Sequence, residues 1–112
     1  MQKYAIKMSN LAENDLENAG DYIALVLINP IAAKNTVNGI REEVNKLQYF
    51  PESHELDEDP MLAEFGIRKT YFKDYKIFFW IDHAMRVVYV IRILHMLVDS
   101  RERLYETLGI AM

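Results

Sequence analysis

Gly66-Ile67-Arg68-Lys69-Thr70-Tyr71-Phe72-Lys73-Asp74-Tyr75-Lys76-Ile77-Phe78-Phe79-Trp80-Ile81-Asp82, continued by Val87-Val88-Tyr89-Val90-Ile91-Arg92-Ile93-Leu94-His95, is the stretch that decides the fold. It is rich in β-branched and aromatic residues, the types that suit a pleated, half-buried surface. Lys73-Asp74 and His83-Ala84-Met85 interrupt it as turns, which predicts a meander of three strands: Ile67 to Phe72, Tyr75 to Asp82 and Arg86 to Leu94. In the third strand the odd positions Val87, Tyr89, Ile91 and Ile93 are all apolar. Period two therefore predicts that they face the core and that Arg92 projects from the opposite face.

Outward from this meander the N-terminal half changes period. Tyr4 to Met8 reads as a short strand. Ser9 or Asn10 then supplies a helix cap, with Glu13 at capping-box spacing from Asn10. Ala12, Leu16, Ala19, Ile23 and Val26 recur at three and four residues and predict one apolar stripe on a helix. Gly20 inside it points to close packing against a neighbouring helix. Asn29-Pro30 ends this helix and opens the next, since Asn caps well and Pro fits the first helical position. Ala33, Val37, Ile40, Val44 and Leu47 form the second stripe, so the two helices form an antiparallel hairpin. Phe50-Pro51 stops it. Residues 52–64 carry six acids and read as a solvated acidic loop. Asp99 or Ser100 caps a short last helix with Leu104 and Leu108 on one side, closed by Gly109. The predicted order is β-α-α-β-β-β-α, an α+β fold with a helical hairpin packed on a mainly antiparallel sheet.

The length of 112 residues, about half hydrophobic, predicts a single domain spanning 1–112 with one packed core. The absence of cysteine excludes disulfide and thiolate chemistry. No apolar run spans a bilayer, and the N-terminus lacks the apolar region of a signal peptide, so the expected location is cytoplasmic. The net charge of −4 is uneven: residues 1–65 carry five basic against twelve acidic side chains, residues 66–112 eight against five. Two surfaces with different partners are expected, and non-specific nucleic-acid binding by the whole molecule is not.

The ordered set Tyr4-x-Ile6, Ser9-x-x-Ala12-x-x-Asp15-Leu16, Asp21-Tyr22-Ile23, Asn29-Pro30-x-Ala32-Ala33, Leu47-x-x-Phe50-Pro51, Gly66-Ile67-Arg68, Asp74-Tyr75-x-Ile77-Phe78-Phe79-x-Ile81-Asp82 and Arg92-Ile93-Leu94-His95 followed by Asp99 resembles the RelE/ParE superfamily of type II toxin–antitoxin toxins. The resemblance implies a growth inhibitor held in check by a cognate antitoxin protein in a hetero-oligomer. One branch of the superfamily cuts mRNA on the ribosome; the ParE branch poisons DNA gyrase. The expected activity is the first, metal-independent mRNA cleavage on the ribosome; gyrase inhibition without nuclease activity is the alternative, and a toxin-derived module that only binds its antitoxin is the third outcome.

Metal-independent cleavage through a 2′-OH needs a proton acceptor, cations for the charged transition state and a proton donor to the leaving oxygen. His95 is the natural acid/base candidate, because imidazole ordinarily titrates near neutrality. By resemblance it lies close to the catalytic histidine of YoeB-like toxins, although Met96 follows it where those toxins carry tyrosine. Arg68 and Arg92 are the phosphate-holding candidates, since a guanidinium matches two phosphate oxygens. Lys69, Lys73, Tyr75 and Lys76 are candidate substrate-binding residues, Tyr75 by stacking on a base. Each has a plainer reading: Arg92 paired with Asp82 or Asp99, Arg68 and Lys69 as the polar positions of a half-exposed strand, and the aromatics as core. His54 and His83 lack ligand spacing, so no metal or other cofactor is expected. The helical hairpin with its Asn29-Pro30 turn looks more like the ParE branch, whose hairpin is implicated in its effect on gyrase.

Overall fold

A computed structural model describes residues 3–111. Strand β1 (Ala5–Met8) is followed by helix α1 (Asn10–Asp21), a π-helical turn (Tyr22–Val26) and helix α2 (Pro30–Lys46). A 3₁₀ turn (Pro51–Ser53) and short helix α3 (Pro60–Glu64) lead into β2 (Arg68–Phe72), β3 (Tyr75–Asp82), β4 (Val87–His95) and helix α4 (Ser100–Leu108). The sheet order is β1-β4-β3-β2, with β1 parallel to β4 and the other pairs antiparallel. The predicted α+β order is present, with two additions. The acidic stretch 52–64 is not simply a loop: it holds the 3₁₀ turn and α3, because Asp59 accepts the Leu62 N–H and Pro60 fits the first helical position. It also pairs with the sheet through a Leu56–Arg68 bridge.

Both sheet faces are covered. On one, the hairpin sets Ala12, Leu16, Ile40, Val44 and Leu47 against Ile77, Phe79, Ile81, Val88, Val90 and Ile93. On the other, α3 and α4 bring Leu62, Leu104 and Tyr105 onto Ile67, Phe78 and Leu94. This explains why Ile77-Phe78-Phe79 runs apolar without alternation, as in strands buried on two sides. The two helices of the hairpin touch closely at Gly20, where an added Cβ would lie 3.0 Å from a Val37 methyl.

The expected period-two face of β4 is overturned by a β-bulge. Phe78 pairs with Arg92, but Phe79 pairs with Val90, so Ile91 is an extra residue. The inserted residue reverses the alternation. Val88 and Val90 share the hairpin core with Ile93, while Ile91 packs on the opposite side against α4.

The stripe expected on the first helix also ends early. Ala12, Leu16, Ala19 and Ile23 are buried, but Val26 is exposed. The Leu27 N–H reaches back five residues to the Tyr22 carbonyl at 3.1 Å, and this wider turn rotates Val26 off the stripe.

Candidate functional site

The bulge in β4 coincides with the end of β1. The Ser9 N–H still bonds the Val90 carbonyl at 2.9 Å; beyond it, among the described residues, β4 has no strand partner on that side. Two side chains complete the edge instead. The Ser9 hydroxyl donates to the Ile91 carbonyl at 2.9 Å, and the Ile93 N–H donates to Asp15 Oδ2 at 2.9 Å. Buried backbone groups left without partners would cost stability, so this substitution is what lets β4 extend past β1.

Arg92 lies in that notch. Its Nε and Nη2 donate to the two Asp15 oxygens, each at 2.8 Å, and its Nη1 donates to Thr107 Oγ1 at 3.1 Å. Both members of the pair are about 90 % buried at the side chain. The Asp15 hydrogen bonds hold the guanidinium pKa above its ordinary value, in spite of burial. The partner is thus Asp15 on α1, rather than Asp82 or Asp99, and each of the three guanidinium nitrogens donates to a partner within the fold.

His95 ends β4 on the rim of a cleft of about 620 Å³ between the hairpin and the β4–α4 connection. Tyr22 and Leu27 form one wall; Tyr75, Leu97, Val98 and Arg103 contribute the other. The imidazole packs edge-on against Tyr75 with ring centres 5.2 Å apart. Its Nδ1 accepts the Leu97 N–H at 3.1 Å, so the neutral ring carries its proton on Nε2. Partial burial raises the Tyr75 phenol above its usual pKa, with Asp74 adding to the effect.

The other cationic candidates are dispersed. Arg68 donates through Nη1 to the carbonyls of Glu52 and His54, at 3.2 and 2.5 Å, and so fastens the acidic segment to β2. Arg68 is paired with Phe79 and His95 with Tyr75, on opposite sides of β3. Four residues along the strand and two strand spacings across put their Cα atoms on the order of 16 Å apart. Lys69 is 5 % exposed and its ammonium is bound by Glu58. Burial opposes the charge, but the Glu58 hydrogen bond and nearby Asp57 outweigh it and raise the Lys69 pKa. Lys73 occupies the hairpin turn with a left-handed φ of 49° and lies over the Phe72 ring. Lys76 lines a separate acidic hollow with Asp57, Glu58, Asp59 and Asp99. Tyr75 and His95 come together, and Lys69 and Lys76 both approach Glu58, away from them. Among the described residues no three His, Asp or Glu side chains form a metal-ligating group.

An exposed apolar surface occupies the tip of the hairpin and reaches this cleft through Tyr22 and Leu27. Tyr22, Leu25, Val26, Leu27, Ile28 and Ile31 are each more than half exposed. Sequence periodicity assigned only part of this stretch to a buried stripe. The missed signal is the run Tyr22-Ile-Ala-Leu-Val-Leu-Ile28, apolar on every side of the helix where an amphipathic helix would turn polar.

The profile described as the ParE toxin of the type II toxin–antitoxin system parDE matches residues 6–99. A search of curated proteins finds no match. Among solved structures, the chromosomal ParDE system of P. aeruginosa is similar over 83 % of this chain and 96 % of that one, at 24 % identity and a TM-score of 0.68. The toxin–antitoxin complex RelBE2 of Mycobacterium tuberculosis is similar over 83 % and 98 %, at 18 % identity and a TM-score of 0.60. A mutant of the E. coli toxin RelE in the free state is similar over 98 % and 99 %, at 13 % identity and a TM-score of 0.64. These likenesses share the hairpin-on-sheet fold, and the profile match covers most of the chain: the protein belongs to the ParE toxin family of type II toxin–antitoxin systems.

Proposed function

We propose that this toxin arrests growth by docking its helical hairpin on DNA gyrase, without nuclease chemistry, and that a cognate antitoxin neutralises it. The observation that carries this reading is the exposed apolar tip formed by Tyr22, Leu25, Val26, Leu27, Ile28 and Ile31. An apolar surface of this kind on a soluble domain marks a protein-binding site. The dispersal of Arg68, Arg92 and Lys69 into structural contacts supports the same reading, because each would have to leave its partner to hold a phosphate. A supercoiling assay with purified gyrase tests it. Inhibition by the wild-type toxin, lost in Leu25→Asp, is expected; intact supercoiling at toxin concentrations that stop growth would refute it.

A second reading, ribosome-dependent mRNA cleavage, is favoured by one observation: His95 and Tyr75 share the rim of a cleft that Arg103 also lines. In that mechanism His95 moves the proton of the 2′-OH and Arg68 and Arg92 are recruited to the phosphate. Primer extension on transcripts after induction separates the two. Cuts within codons that vanish in His95→Ala would favour cleavage over gyrase binding.

A further inference from the structure

The tip of the hairpin is both apolar and strained. Ile28 has a left-handed φ of 51°. A β-branched side chain is a genuine outlier there, since its Cβ crowds the neighbouring carbonyl. The position is one where helices ordinarily put glycine. The Asn29 N–H bonds the Ile23 carbonyl at 3.1 Å, a closure one residue wider than the usual helix stop, in keeping with the π-turn before it, and Ile28 is the left-handed residue inside it. The Leu27 N–H on Tyr22 and the Asn29 side chain on the Ala32 N–H, at 3.1 and 3.0 Å, clamp the two sides. Strain fixed from both sides offers no folding advantage by itself. Nor does the side chain repay it in the fold, for Ile28 is 82 % exposed. Strained residues persist where the surroundings over-determine them, typically at functional contacts.

We propose that Ile28 is the anchor residue of the toxin, preset by this strained turn to enter an uncharged, apolar pocket on the target protein. The inference rests on the reading that the hairpin docks on gyrase, and it names the contact. The partner's chemistry follows from the sequence of the tip: Tyr22 to Ala33 contains no charged residue. Six apolar side chains more than half exposed within that span amount to several hundred Å², approaching the ~800 Å² that one partner contributes to a standard protein interface. Ile28, the most exposed of the six, projects into solvent, so a hollow is what would receive it. Self-association of the toxin through the same tip is the competing arrangement, distinguished by its dependence on toxin concentration.

Ile28→Gly removes the anchor and relieves the strain together. It is expected to keep or raise the thermal midpoint, to retain antitoxin binding, and to lose growth arrest and gyrase inhibition at least tenfold. Ile28→Asn, which also tolerates the left-handed turn, should behave alike, and Ile28→Val should keep most activity. Raising salt from 50 to 500 mM in the gyrase-binding assay should change the affinity of the wild type less than threefold. If Ile28→Gly arrests growth as the wild type does, the anchor role is wrong. If wild-type toxin leaves gyrase untouched, the gyrase reading fails, and Ile28 is then judged by growth arrest alone. Loss of antitoxin binding in folded Ile28→Gly, or concentration-dependent self-association that the substitution abolishes, would assign the tip to another occupant and overturn the proposal.

Discussion

Asp15 on α1 and Arg92 on β4, 77 residues apart, form a two-pronged ion pair that also caps an open sheet edge, because one Asp15 oxygen serves the Ile93 N–H as well. The pair thus joins the hairpin to the strand that carries His95. Removing one partner leaves a charge buried alone, which typically costs about 3–5 kcal/mol. Asp15→Ala is therefore expected to lower unfolding free energy by about 3 kcal/mol in urea titration, whereas Asp15→Leu with Arg92→Met should recover most of that loss. A double substitution as damaging as Asp15→Ala would show that the backbone contact matters more than the charges.

Gly39 on α2 faces Phe72 on β2, and a Cβ at that position would lie well inside contact distance of the Phe72 Cζ. Gly39→Ala should destabilise by about 1–3 kcal/mol, the usual cost of overpacking, despite the better helix propensity of alanine. Phe72→Leu in the same chain should restore part of the loss. Equal stability of wild type and Gly39→Ala in thermal melts would contradict this contact.

Asp59 ties α3 to α4. It receives the Tyr105 hydroxyl at 2.7 Å and the Leu62 N–H at 3.1 Å, and it pairs with Arg101. These contacts, the Tyr105 hydroxyl foremost, lower its carboxyl pKa. A depressed folded-state pKa contributes stability that is present above the unfolded value and lost as pH falls through the folded one. The loss is therefore expected to begin as pH drops past about 4, the ordinary aspartate range. Asp59→Asn should flatten that part of the stability–pH curve, measured by urea midpoints from pH 3 to 7, and Tyr105→Phe should shrink it.

Leu25 and Ile31 are each 74 % exposed, so charged replacements there should leave folding within about 0.5 kcal/mol of wild type. The expected phenotype of Leu25→Asp and Ile31→Asp is loss of growth arrest with unchanged melting. Toxicity equal to wild type at matched expression would argue against the hairpin tip as the target-binding surface.

His95→Ala removes the edge contact to Tyr75 and the acceptor for the Leu97 N–H. Its expected effect is a modest destabilisation, about 1 kcal/mol, with growth arrest retained. Quantitative plating after induction checks this. A complete loss of toxicity in a folded His95→Ala protein would favour the RNA-cleavage reading.

Much of the fold was legible locally. The helix stripes through Leu16 and Ile40, the caps at Ser9, Asn29 and Asp99, and the Lys73-Asp74 turn are short-range features, written in spacing and side-chain chemistry. Family membership was legible in the order of those features. Three matters were decided only in three dimensions. The bulge at Ile91 depends on where β1 stops, and it reversed the face expected for β4. The partner of Arg92 depends on which carboxylate the hairpin brings to the notch, and sequence distance pointed to Asp82 or Asp99 where packing chose Asp15. The accessibility of Tyr22 to Ile31 depends on a π-turn that rotates the apolar run away from the core. Periodicity reports which residues are apolar, and local chemistry reports which are charged. Which of them meet, and which remain in water, is set by long-range packing that no local pattern encodes.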